Sequence, residues 1–203
     1  MKSGDFDKIA FIYDRLATLI FGKSISDSQK YFLSRIPDHS KVLILGGGTG
    51  WILEELFATK PNLGVCYIEA SAKMMDLAKA KLHEDKRVQF ILGTETDIPD
   101  RSFDVVITNF YLDLFKEGSL RNALEKIKRS ITPKALWIVT EFGDHTWWHK
   151  VLLKMMYLFF QFVCNIEANR LPNWNKAMQE LGGIKSESKS FYRNFIEATV
   201  FQF

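Results

Sequence analysis

The chain has 203 residues, enough for one domain with a sizeable core, and its 47% apolar and 25% charged residues belong to a globular protein rather than a disordered or repetitive one. A net charge of +3 with scattered basic residues argues against nucleic acid as a partner, and Cys66 and Cys164, each inside an apolar run, have the spacing of neither a metal site nor a disulfide framework. The amino terminus, MKSGDFDKIA, carries acidic residues and no continuous apolar core, which argues against a secretory signal and leaves a cytoplasmic protein as the expectation.

Apolar residues at steps of three and four predict an amphipathic helix over residues 5–21, ended by Gly22. A second helix is expected over 26–35, with Ser26 or Asp27 as its cap and Pro37 as its stop. Short apolar runs then alternate with helical segments in the order of parallel βαβ units. Strands are predicted at 41–45, 63–68, 88–92, 103–108 and 135–141, and helices at 51–59, 71–82 and 119–131. The strands are apolar throughout, as strands covered on both faces must be. Past residue 143 come a long aromatic helix over 146–165, a shorter one over 174–181, and two closing strands at 184–190 and 194–201, the last antiparallel. The most apolar run, residues 151–163, is shorter than the ~20 residues a membrane span requires, so no stable membrane insertion is expected.

In "VLILGGGTGWILEEL", residues 42–56, four glycines sit between the first strand and its helix. Glycine admits a ligand close to the main chain, and the helix behind offers unpaired N–H groups and a positive dipole end. In an open parallel sheet this is where ligands bind. A dinucleotide fingerprint fails, because counting from Gly46 or Gly48 puts Trp51 or Leu53 at the sixth position; a P-loop fails because Trp51 and Ile52 follow Gly50. What remains is G-x-G-x-G at Gly46, Gly48 and Gly50.

This stretch resembles the first motif of the class I S-adenosylmethionine-dependent methyltransferases, VLDLGCGTG, and the resemblance extends along nearly the whole chain. "CYIEASAKMMDLAKAKL" is similar to the second motif, "LGTETDIPDRSFDVVITNFYLDLF" to the segment after the third strand, and "FDKIAFIYDRL" to the lid helix of the ubiquinone/menaquinone C-methyltransferase-like branch. The resemblance implies a Rossmann-like α/β fold with a seven-stranded, mostly parallel sheet whose last strand is antiparallel. It implies S-adenosylmethionine as cofactor, with Glu69 on the ribose hydroxyls, Ala70 and Met74 beside it, Thr94 and Glu95 against the adenine, Asn109 in the loop over the reacting methyl, and Tyr13 on the lid. Four segments of a single domain follow: a lid (1–37), a cofactor-binding core (38–143), a helical substrate-selecting insertion (144–182) and closing strands (183–203). One departure is visible. Ile44 stands where the family usually has an acidic residue holding the methionine ammonium group.

Methyl transfer from a sulfonium requires mainly alignment. Where the acceptor carries a proton, a base is needed, and Asp113, Glu141, Asp144, His145 and His149 all fall near strand ends. Asp113 and His149 are the candidates taken forward. No completed metal site accompanies His145 and His149. The insertion, with Trp147, Trp148, Met155, Met156, Phe159, Phe160 and Phe162, is expected to line a pocket for a small lipophilic or aromatic acceptor, or to form a homodimer contact. The rival readings are a binding protein of the same fold without competent catalysis and a nicotinamide-dependent oxidoreductase.

Overall fold

The computed structural model describes residues 7, 18–82, 85–164 and 168–203. Seven strands form one sheet in the order β3-β2-β1-β4-β5-β7-β6. Strands β1 (Lys41–Leu45), β2 (Gly64–Glu69), β3 (Val88–Leu92), β4 (Phe103–Asn109) and β5 (Ile131–Phe142) run parallel; β7 (Ile196–Gln202) is antiparallel to both β5 and β6 (Ile184–Phe191).

Side chains alternate across the sheet. Val42 and Ile44 of β1 join Tyr67, Val105 and Ile107 in one core, whereas Leu43 and Leu45 join Ile68, Val106 and Trp137 in another. The first core is closed by α2 (Trp51–Thr59) and α3 (Ala72–Leu82), the second by α4 (Glu117–Lys128) and α6 (Trp174–Glu180). Both faces of the central strands are therefore dry, which is why their sequences are apolar without interruption. A third cluster, over the ends of β5 and β7, is built by α5 (Trp147–Cys164) on Phe142, Phe195 and Ile196.

Departures from the predicted elements have local causes. Helix α1 spans Ser24–Lys30, two residues ahead of expectation, because Gly22 at φ +59° turns the chain at once; no side chain caps it, and the Ser26 hydroxyl donates to the Lys23 carbonyl instead. A separate 3₁₀ turn, Leu33–Arg35, takes the rest of the predicted helix. Strand β5 begins at Ile131, four residues early, through a register shift opposite β4 that accommodates Lys134 at φ +68°. Of the predicted first helix only residues 7 and 18–21 are described; Tyr13 lies outside the described residues.

Candidate functional site

The sheet order reverses between β1 and β4, and the carboxyl ends of the parallel strands open there into a cavity of about 370 Å³. Its floor is the loop after β1, where Gly46 and Gly48 take φ of +64° and +65°. A Cβ on Gly46 would come within 2.6 Å of the Tyr111 ring, and one on Gly47 within 2.2 Å of the buried Tyr67 ring. Around Gly48 a Cβ would meet nothing within 4 Å, so that glycine serves backbone conformation rather than packing. The Tyr67 hydroxyl donates to the Gly48 carbonyl at 2.8 Å, and the Gly46 amide to the Ile68 carbonyl at 2.9 Å. Gly50, expected among the cofactor residues, is not in the cavity lining; it stands at φ +80° at the start of α2, and a Cβ there would lie 2.7 Å from the Ala78 backbone of α3.

Glu69, 5% exposed at the end of β2, accepts the Gly48 amide on Oε2 at 2.9 Å and the Ser71 amide on Oε1 at 2.8 Å. Burial raises its carboxyl above the ordinary value, opposed by these N–H donors. The Ala70 backbone N–H also bonds this carboxylate, and the carboxylate borders the cavity, where it can meet a further donor. Ala70 and Met74 line the cavity beside it. Asp7 accepts from the Ser71 hydroxyl and from the Lys73 amide at this corner.

The opposite wall is the loop after β4. Phe110 is held at φ +51°, and its amide donates to the Thr140 carbonyl at 2.7 Å. The next two amides, of Tyr111 and Leu112, both donate to Oε1 of the fully buried Glu141, at 2.9 and 2.6 Å. Glu141 is thus the anchor that fixes this strained turn. It does not line the cavity, so its candidacy as a base gives way to a positioning role. Asp113 and Asn109 do line it, and Oδ1 of each is buried without a hydrogen-bond partner. Burial pushes Asp113 up to about 7, and raises Glu141 well above the ordinary carboxylate range with the charge of Asp113 adding to it; two such neighbours titrate as a unit. Thr94 lines the cavity, whereas the carboxylate of Glu95 turns to accept the Tyr111 hydroxyl at 2.8 Å.

The remaining wall is the inner side of α5: Leu152, Leu153, Met155, Met156, Tyr157, Phe159 and Phe160, faced by Phe21, Ile25 and Phe142. Four of the seven insertion residues singled out from sequence are there. Trp147 and Phe162 point outward, and Trp148 packs on His149 and Phe195. His149 is fully buried outside the cavity, with Nε2 3.3 Å from the Arg193 carbonyl, and burial lowers its basicity. Sequence reasoning placed it near the reacting centre; packing turns it from α5 toward Phe195 and away from the cavity. Missed from sequence were Ile20, Ile25 and Gln29, cavity residues of the 18–30 segment with no motif to mark them. No cluster of three or more potential metal ligands exists among the described residues.

Residues 42–134 match the family model of a methyltransferase domain. The chain is 29% identical to the malonyl-[acyl-carrier protein] O-methyltransferase of Priestia megaterium over 106 residues, 52% of this chain, and 29% identical to the demethylmenaquinone methyltransferase of Thermotoga maritima over 140 residues, 67% of it. The matches span only 38% and 59% of those relatives' own lengths. Among solved structures, a chain of the complex between the Haloferax volcanii Trm112 methyltransferase activator and a candidate methyltransferase aligns with a TM-score of 0.75 at 19% identity, covering 100% of this chain and 98% of that one. An S-adenosylmethionine-dependent methyltransferase from Aquifex aeolicus aligns with a TM-score of 0.65 at 15% identity, covering 93% and 97%. At these identities the likeness is one of fold.

Proposed function

We propose that this chain, whose residues 42–134 match a methyltransferase domain, is a class I methyltransferase that binds S-adenosylmethionine and transfers its methyl group to a small lipophilic acceptor. The observation that carries this is one continuous cavity with the glycine loop and Glu69 at one end and the apolar wall of α5 at the other. The residues present fit the cofactor. Glu69 presents its carboxylate to the cavity for a ribose hydroxyl, Met74 and Thr94 border the space beside it, and the orphan Oδ1 of Asn109 suits an ammonium group that Ile44 cannot hold. When bound, the sulfonium supplies an electrophilic methyl group.

The chain's own part is positioning and proton handling. Glu141 fixes the 110–112 turn and with it the walls on either side of Asn109 and Asp113. Asp113, pushed up to about 7, is able to take a proton from an acceptor hydroxyl or acidic carbon near neutrality. Phe21, Phe110, Phe142 and Phe160 exclude water and favour an apolar or aromatic acceptor. That the Thermotoga relative is a demethylmenaquinone methyltransferase supports the same acceptor class.

Calorimetric titration with S-adenosylmethionine and its demethylated product, followed by turnover against a panel of phenols, quinols and lipophilic acids, tests the reading. Micromolar binding and turnover of an apolar acceptor are expected; no binding at millimolar cofactor overturns the proposal. Binding without turnover across the panel would favour a cofactor-binding protein lacking catalysis.

A further inference from the structure

The outward face of α5 is apolar where a solvent-facing helix is ordinarily polar. Trp147 is 78% exposed and Phe162 is 90% exposed, and Val151, Met155 and Leu158 fall between them at steps of four, four and three residues. They form one stripe roughly 22 Å long. Met155 and Phe159 are both exposed and part of the cavity wall, so the patch continues into the cavity mouth. Across its 18 residues α5 holds two exposed lysines, Lys150 and Lys154, and no acidic residue.

We propose that this face of α5 docks on the surface of an anionic lipid bilayer, with the helix in the plane of the interface and the cavity opening toward the membrane. Trp, Phe, Leu and Met side chains enter the boundary between headgroups and acyl chains, while the lysines remain among the headgroup charges. No helix among the described residues is long and apolar enough to cross a membrane, so the contact is peripheral. A second copy of the chain is the poorer occupant, since pairing the same face would bring four like charges, Lys150 and Lys154 of each copy, into one contact with no carboxylate on the helix to neutralise them. An acceptor dissolved in the bilayer would enter the cavity without crossing water.

The full chain is mixed with phosphatidylglycerol or phosphatidylcholine vesicles, and partitioning is read by flotation and by tryptophan emission; no turnover is needed, so the result is independent of the methyltransferase reading. Binding to phosphatidylglycerol is expected, weakened by high salt, with a blue shift that Trp147→Phe reduces. Trp147→Ser with Phe162→Ser should lower partitioning at least about tenfold. Lys150→Gln with Lys154→Gln should lower it about tenfold or more on anionic vesicles. Unaltered thermal unfolding of these surface variants shows that they fold. Absence of vesicle binding, or equal binding by the Trp147/Phe162 variant, overturns the proposal. A dimer in sedimentation that Phe162→Ser dissolves, with no vesicle binding, assigns the face to a second copy.

Discussion

The amide of Gly48 donates to Oε2 of Glu69 at 2.9 Å, so the carboxylate proposed to hold the cofactor also fixes the loop that receives it. Two requirements met by one side chain make Glu69 the most sensitive position of the site. Glu69→Ala should weaken S-adenosylhomocysteine binding by roughly 10- to 100-fold, the loss of hydrogen bonds to a charged acceptor. Calorimetry measures it, with near-ultraviolet circular dichroism confirming the fold; an unchanged Kd would remove Glu69 from the site.

Gly47 is glycine because Tyr67 occupies the space of its side chain. Gly47→Ala places a methyl group 2.2 Å from a fully buried ring and should destabilise the protein by about 1–3 kcal/mol. Tyr67→Ala opens that space, so the double variant should be more stable than the sum of the single changes by at least about 1 kcal/mol. Urea unfolding of the four proteins closes the cycle; strict additivity would refute the contact.

Ile44 is 1% exposed and borders the cavity. Ile44→Asp buries a carboxyl without a partner, which lowers Tm in the absence of ligand, but gives the cofactor ammonium group a counter-charge. The ligand-induced rise in Tm should therefore exceed that of the natural chain. An equal or smaller rise would show that the ammonium group does not reach β1.

Asp113 carries a testable pH signature. Its value in the folded protein, about 7, lies above that of an exposed carboxyl, so the folded state binds this proton more tightly. Its stabilising contribution is complete below about pH 4 and is lost as pH rises through about 7. Asp113→Asn should flatten that fall in Tm. It should also lower kcat by about 10²- to 10⁴-fold for an acceptor that must lose a proton, leaving cofactor affinity unchanged. In the natural enzyme activity should rise with pH through about 7, opposite in direction to stability. A kcat of Asp113→Asn equal to the natural value would dismiss it as the base.

Glu141 should separate from Asp113 in the same experiments. Glu141→Gln retains an oxygen for the Tyr111 and Leu112 amides and is uncharged, as burial and the Asp113 charge keep Glu141 while Asp113 titrates, so stability near neutral pH and the acid limb of the rate profile should both change little. Glu141→Ala strands two buried amides and should cost about 2–5 kcal/mol. A clear downward shift of the acid limb in Glu141→Gln would mean that Glu141 carries its charge while Asp113 titrates, against this reading.

Much of this architecture was legible before folding was considered, wherever the requirement is local. Uninterrupted apolar runs mark strands whose two faces are both covered, and all seven observed strands overlap predicted ones. The glycines at 46 and 48 answer a backbone conformation set by the turn itself, and Glu69 follows at the end of the next strand. Gly50 shares that left-handed conformation, at φ +80°, and adds a contact with Ala78 that only the packing of α2 on α3 creates.

The order of elements, the strand ends that converge on the cavity and the residue types at those ends are all local properties of the chain, because periodicity and glycine placement act within a few residues. Which titratable groups face the cavity depends on long-range packing. Asp113, Glu141 and His149 were alike as candidate bases, and they separate only because Phe110 turns left-handed, Glu141 gathers the amides beyond it, and α5 lands with His149 toward Phe195. The same landing turned Met156 and Phe160 inward and left Trp147 and Phe162 outward. A helix's periodicity defines its faces, but which face is buried depends on the surface it meets.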